Sequence, residues 1–144
     1  MRIRGVVGTR VGYTQGTTVH PTYEQVCQGN TQHREAVQVI FDPKVVSYRE
    51  LVQSAMSWLK ELQTPQDLHD LFAEQDPQYR SGIYYKNEEQ RRIAHACMDK
   101  NRTLSIELLP VARFWEAEDS HQQYLYKGGQ SGRKGEKEPI RCFG

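Results

Sequence analysis

The sequence predicts an α+β domain, a two-layer α/β sandwich with helices laid against a mostly antiparallel sheet. Three observations carry that prediction. Apolar residues alternate in REAVQVIFD (Arg34 to Asp42), while SYRELVQSAMSWLKEL directly after it repeats at helical spacing. A second strand–helix–strand run follows in SGIYYK, NEEQRRIAHACMDK and TLSIELLP. At 144 residues the chain is long enough for one buried core and too short for two domains of ordinary size.

The elements follow in order. A first strand leads into GYTQGTTVHPTYEQVC (Gly12 to Cys27), a turn-rich loop that gathers two tyrosines, a histidine and a cysteine. In the strand from Arg34 to Asp42, Val37, Val39 and Phe41 form the predicted core face. Ser47 with Glu50 three residues on makes a capping box, and Leu51, Ala55, Trp58 and Leu62 give the helix an apolar stripe. Gln63 to Gln78 is polar and contains Pro65 and Pro77, a length of loop that tends to carry function. Asn87 caps the next helix, and Ser120 or Asp119 opens a short one over SHQQYLYK. Phe114 and Trp115 are assigned to the core. The domain is taken as residues 1–127. Residues 128–144, which begin GGQSGRKGEKEP, lack an apolar period and read as a flexible tail.

Composition narrows the function. Lys plus Arg (19) nearly balance Asp plus Glu (18), so no net field favours nucleic acid or an anionic membrane. No apolar run has the length of a membrane span, and MRIRGVVGTR lacks the apolar core of a signal peptide, so a soluble, cytoplasmic product is expected. Cys27, Cys97 and Cys142 are too scattered for a disulfide framework or a zinc site. No bound metal or cofactor is expected. Cys97, inside a helical pattern, and Cys27 read as packed, inert thiols. A Cys27–His20 nucleophile pair is a weaker alternative.

Five segments, in this order, carry a resemblance: GYTQG followed by PTYEQVC, HREAVQVIFDP, DPQYRSGIYY, AEDSHQQYLYKGGQS and PIRCFG. The chain resembles the peptide methionine sulfoxide reductase A family over nearly its whole length. The resemblance implies a ferredoxin-like core and reduction of methionine S-sulfoxide in proteins. In that chemistry a thiolate attacks the sulfoxide sulfur, a sulfenic acid forms, and a tail cysteine resolves it to a disulfide for thioredoxin or another thiol reductant. Oxidised proteins and thioredoxin are the implied partners.

The resemblance also places roles on residues. Tyr13 and Tyr79 correspond to the phenols that hold the sulfoxide oxygen; with a pKa of about 10 a phenol stays neutral and donates. Glu74, with Asp76 beside it, corresponds to an aspartate that organises the site. His121 positions the site, and Tyr124 lines the pocket for the substrate methyl. The family acid falls on Gln25, which cannot deliver a proton; Glu24 points about 100 degrees away on a helical turn. Cys142 corresponds to the tail resolving cysteine, while Glu136 stands where some relatives have a further cysteine. The family's Gly-Cys-Phe-Trp-Gly nucleophile motif does not occur in the sequence. In the family it precedes the strand that here begins at Met1, so the nucleophile and the first sheet strand are expected to be missing. Three explanations stand beside one another: a start placed at an internal methionine, a selenocysteine codon read as a stop, and a pseudoenzyme. The first two leave organelle targeting open. Two non-enzymatic readings accompany them: a protein that binds oxidised or unmodified methionine, and a sandwich domain with an interaction role only.

Overall fold

The protein is represented by a computed structural model that describes residues 3–61, 81–98 and 106–123. Along the chain these form β1 (Val6–Thr14), α1 (Tyr23–Cys27), β2 (Arg34–Phe41), α2 (Tyr48–Glu61), β3 (Gly82–Tyr85), α3 (Glu88–Cys97), β4 (Glu107–Pro110) and β5 (Trp115–Glu116). The architecture is α+β. The sheet order β2-β1-β5 is antiparallel at both pairings. β3 and β4 pair in parallel, with α3 as the crossover between them.

Two of the helix caps read from the sequence, at Ser47 and Asn87, are present. The Glu50 N–H donates to Ser47 Oγ at 3.2 Å while the Ser47 N–H donates to the Glu50 carboxylate at 2.8 Å. Those bonds hold the Glu50 carboxyl below its ordinary range. At α3 the Gln90 N–H donates to Asn87 Oδ1 at 2.9 Å. Each cap satisfies an N–H that the first helical turn would otherwise leave to solvent.

Two predicted faces are displaced. Val37 and Val39 are exposed, at 59% and 40%, instead of forming the core face of β2. Among the described residues β2 is an edge strand, and Val37 lies opposite Val11, two residues along from Tyr13. Among the described residues the packing on that face is confined to its Tyr13 end, where Tyr13, Val26 and Ala117 form the buried cluster. Alternation correctly indicated the strand and not which part of it would be covered. On α2 the buried residues are Val52 and Met56, whereas Ala55 is exposed and Trp58 is 59% exposed. The stripe is turned by one position from the predicted Leu51, Ala55 and Trp58, equivalent to about 100 degrees of rotation. Leu62 and the Gln63 to Gln78 loop lie outside the described residues.

Two short elements went unread. α1 sits inside the turn-rich segment, and β5 follows the Phe114 position by one residue. Five and two residues are too short for a 3.6 or a 2.0 period to emerge. Over Asp119 to Gln123 the described part of the predicted SHQQYLYK helix is a turn.

Candidate functional site

The site is assembled where β1 ends. Tyr13 and Trp115 are paired across β1 and β5, so their side chains share one sheet face. α1 lies on that face through Val26, which is fully buried, and Tyr23, Val11 and Trp115 pack around the cluster. The turn after β5 brings Glu118 and His121 to the same place.

Glu118 is the hub. Its Oε2 accepts the Tyr13 hydroxyl at 2.9 Å and its Oε1 accepts the Tyr23 backbone N–H at 2.9 Å. His121 Nε2 stands 4.0 Å from the same carboxylate, and its ring stacks on Tyr23 with centroids 4.5 Å apart. Burial pushes the Glu118 carboxyl up, but hydrogen bonds from the Tyr23 N–H, its own N–H and the Tyr13 hydroxyl, with His121 beside it, hold it below the ordinary carboxylate range. The Tyr13 phenol moves the opposite way. Burial raises it first, then the hydrogen bond to Glu118 and the neighbouring Glu118, Glu35 and Cys27. The pair is therefore a neutral phenol donating to an ionised carboxylate.

A carboxamide anchors the turn. Gln122 Oε1 accepts the Val11 N–H at 2.9 Å, and Gln122 Nε2 donates to the carbonyls of Val11 and Ala117 at 2.8 and 2.9 Å. With the Ala117 N–H on the Val11 carbonyl at 3.0 Å, this side chain continues the β1–β5 ladder beyond the last strand residue. The distance from Glu118 to Tyr13 is thus set by hydrogen bonds two residues away along β1.

Polar clamps also hold the loop between β1 and α1. The His33 ring is 1% exposed; its Nδ1 accepts the Gly16 N–H at 3.2 Å and its Nε2 donates to the Thr18 carbonyl at 2.8 Å, which defines the neutral Nε2–H tautomer. A Cβ on Gly16 would collide with that ring and with the Thr31 carbonyl, so glycine is required at this close approach. Gln15 has φ 70° and holds this left-handed conformation through its carboxamide, which donates to the Pro110 carbonyl at 3.1 Å and accepts the Ala112 N–H at 2.6 Å.

Several of the residues singled out in the sequence have their polar groups engaged within the fold. Tyr13 is 2% exposed and its hydroxyl is committed to Glu118, so as it stands it supports the site from beneath. Half-buried Tyr23, from the same PTYEQVC segment, is the tyrosine that faces His121. Gln25 is exposed, and its carboxamide accepts the Thr22 N–H at 2.9 Å while the Gln25 N–H donates to Thr22 Oγ1 at 3.3 Å. It belongs to a capping box at the start of α1, so the carboxamide is spent on the helix end. The carboxylates beside Tyr13 are Glu118 and Glu35, neither singled out as a site residue by sequence reasoning. Glu35 lies opposite Tyr13 in the β1–β2 register, and its Oε1 is buried. The signal was available in the alternation of β2, which puts Glu35 on the same face as Val37 and Val39.

Cys27 ends α1 half-buried beside Tyr13, while His20 turns its ring onto Trp115, centroids 4.3 Å apart, and not onto a thiol. Cys97 ends α3, with Arg49 Nη1 3.8 Å from its sulfur. Glu74, Asp76, Tyr79, Tyr124, Glu136 and Cys142, together with the proposed 127/128 boundary, lie outside the described residues. Among the described residues no group of three or more His, Cys, Asp or Glu side chains is placed to hold a metal, and no helix is long and apolar enough to cross a membrane.

The family described as peptide methionine sulfoxide reductase matches residues 1–140. The chain belongs to the peptide methionine sulfoxide reductase family. It is 43% identical over 153 residues to peptide methionine sulfoxide reductase A4, chloroplastic, of Arabidopsis thaliana, covering 99% of this chain and 58% of that protein. It is 42% identical to peptide methionine sulfoxide reductase A1 of the same plant, covering 99% and 74%. Among solved structures it is similar to methionine sulfoxide reductase A of Corynebacterium diphtheriae, with a TM-score of 0.70 and 33% identity over 86% of this chain and 65% of that one. Reduced Mxr1 of Saccharomyces cerevisiae, at 24% identity and a TM-score of 0.66, shares the fold. This member of the methionine sulfoxide reductase family thus spans less than two thirds of the length of the A4 reductase and of the bacterial structure.

Proposed function

We infer that the chain serves thiol- or selenol-dependent reduction of methionine S-sulfoxide in proteins, and that the Tyr13–Glu118–Tyr23–His121 cluster is the recognition side of the site. The single observation that carries this is the Glu118 hub. It draws Tyr13 from β1, the N–H of Tyr23 from α1 and His121 from the HQQ turn into one polar group, using two of the five segments that carry the family resemblance. A sulfoxide is a polar oxygen joined to an apolar methyl sulfide. Half-buried aromatic rings beside neutral hydrogen-bond donors suit both parts.

In this reading a sulfur or selenium nucleophile bonds to the sulfoxide sulfur, the S–O bond breaks, and the oxygen takes a proton. The released hydroxide then bonds to that sulfur or selenium as its bond to the methionine sulfur breaks, so methionine leaves reduced and the nucleophile carries the hydroxyl as a sulfenic or selenenic acid. A second thiol, Cys142 in the family pattern, displaces that hydroxyl as water and forms the linkage that thioredoxin or another dithiol reduces. The proton donor is assigned to Glu35, because Gln25 is engaged in its cap and Glu118 is held ionised by its donors. Tyr79, Tyr124 and Glu74 retain the substrate roles that the resemblance implies. The attacking atom is the role for which the resemblance indicates no residue among the 144, since no Gly-Cys-Phe-Trp-Gly occurs.

The experiment is turnover of a methionine S-sulfoxide peptide with dithiothreitol, using this chain and one carrying a Gly-Cys-Phe-Trp-Gly segment ahead of Met1. Turnover of the S epimer and not the R epimer, lost in Glu35→Gln and kept in Gln25→Ala, is expected. Turnover in neither chain while sulfoxide peptides still bind would favour a second reading, a non-catalytic protein that binds oxidised methionine.

A further inference from the structure

Beside the Glu118 cluster stands a cation that the reductase chemistry does not use. Arg113 is exposed, and its guanidinium lies 4.1 Å from the centroid of the Trp115 ring. Trp115 is in turn edged by His20 and packed against the Tyr13, Val26 and Ala117 core. A guanidinium held over an indole ring still has N–H donors to offer a carboxylate.

Three features separate Arg113 from an ordinary surface arginine. First, its backbone is fixed from the end of β1: Thr14 Oγ1 lies 3.1 Å from the Arg113 carbonyl, and the Ala112 N–H donates to Gln15 Oε1 at 2.6 Å. Second, its side chain is ordered by the ring, so less rotational freedom is lost when it binds. Third, among the described residues it makes no ion pair. The charged neighbours are otherwise engaged: Glu116 pairs with Arg10 at 3.8 Å, and Glu118 is taken up by Tyr13 and Tyr23.

Position supplies the class of ligand. Trp115 is the cross-strand partner of Tyr13, about 5 Å away in the sheet, and Arg113 is two residues further along, about 7 Å. An extended peptide advances by about 7 Å over two residues. A peptide bound with its oxidised methionine at the Glu118 cluster and running along β5 passes Trp115 and then Arg113. We propose that Arg113, seated on Trp115, is a specificity residue that selects substrate peptides with an acidic side chain one or two positions from the methionine sulfoxide. The inference rests on the reductase reading for the residue at the centre of the peptide, and not for the charge preference itself.

The test uses binding, so it needs no turnover. Of the two tryptophans in the chain, Trp58 is exposed on α2, and Trp58→Phe leaves Trp115 as the emitter. Capped heptapeptides with central methionine S-sulfoxide or methionine, and Glu or Lys within two positions on either side, are titrated by Trp115 fluorescence. One Glu sulfoxide peptide is expected to bind about fivefold tighter than its Lys counterpart, the scale of an exposed but ordered ion pair. Arg113→Gln should equalise the two, Arg113→Glu should invert them, and about 0.5 M salt should compress the difference. Glu and Lys peptides within twofold of each other in the native protein, or a preference that persists in Arg113→Gln, would overturn the proposal. Sulfoxide preferred over methionine without charge preference sinks the proposal alone. Charge preference without sulfoxide preference sinks the reductase reading alone, and no binding by any peptide sinks both.

Discussion

The three-stranded antiparallel sheet and the parallel β3–β4 pair solve different problems with similar amounts of chain. The parallel pair is scaffold, and its crossover helix α3 packs on α2. The antiparallel sheet buries little. Its cluster is Tyr13, Val26 and Ala117, and its geometry is held by side-chain hydrogen bonds from Gln15, Gln122, His33 and Glu118 that span large sequence separations. Polar fastening gives a rigid site whose groups remain able to meet a polar ligand, whereas apolar packing gives stability without chemistry. Besides the Gln15 bond to the Pro110 carbonyl on β4, the two regions are tied by a largely buried fork. Arg34, opening β2, donates to both oxygens of Glu107 on β4 at 3.2 and 3.1 Å, and the Tyr84 hydroxyl on β3 donates to the same carboxylate at 3.0 Å.

Breaking that tie should have the largest effect. Glu107→Gln leaves the Arg34 guanidinium mostly buried beside a neutral amide, and a loss of about 3 kcal/mol is expected in chemical denaturation. Both regions should loosen together. If only the parallel pair became labile in hydrogen exchange, the fork would not couple them.

Gln122→Ala removes three hydrogen bonds and should cost about 2 kcal/mol. The effect should be confined to the antiparallel region. Loss of amide protection at Val11 and Ala117, with α3 unchanged, is the expected exchange pattern.

Tyr13→Phe removes one hydroxyl and should cost about 1 kcal/mol. With the donor gone, the Glu118 carboxyl should titrate higher, readable by carboxyl NMR. The sign for pH follows from the direction of the shifts. Burial and Glu118 raise the Tyr13 phenol, and burial and Glu107 raise Tyr84, above the unfolded value of about 10. Their contribution is fully present below that pH and is lost as pH rises beyond it. The melting temperature should therefore fall above about pH 10, and Tyr13→Phe should flatten part of that fall. Glu118, held low, works at the other end: its contribution is present above its unfolded pKa and is lost as acid protonates it.

The smallest effect is expected at Gln25→Ala, about 0.5 kcal/mol from half of a capping box. Its value is in sharpening the contrast. A change in sulfoxide binding larger than the change in stability would return Gln25 to the site.

Much was legible from the sequence where causes are local. Ser47–Glu50 and Asn87 announced two helix starts because a cap is a bond between residues three apart. The Tyr13 and His121 segments were legible as motifs, yet their partner Glu118 was not assigned. Tyr13 and Glu118 are 105 positions apart, and no period or spacing relates them. Gln25, which the motif register aligns with the family acid, has its carboxamide in the α1 capping box, a contact the motif alone did not indicate.

The sequence by itself determined the α+β class, the succession of the larger strands and helices, and membership of the reductase family, since alternation, caps and short motifs act over a few residues. Only the tertiary structure decided that Val37 and Val39 are open, that Val52 and Met56 turn inward, and that Glu118 joins Tyr13, Tyr23 and His121. Those outcomes depend on which distant segment covers a face. Coverage is a property of the folded chain, and an amphipathic pattern states only that a face can be covered.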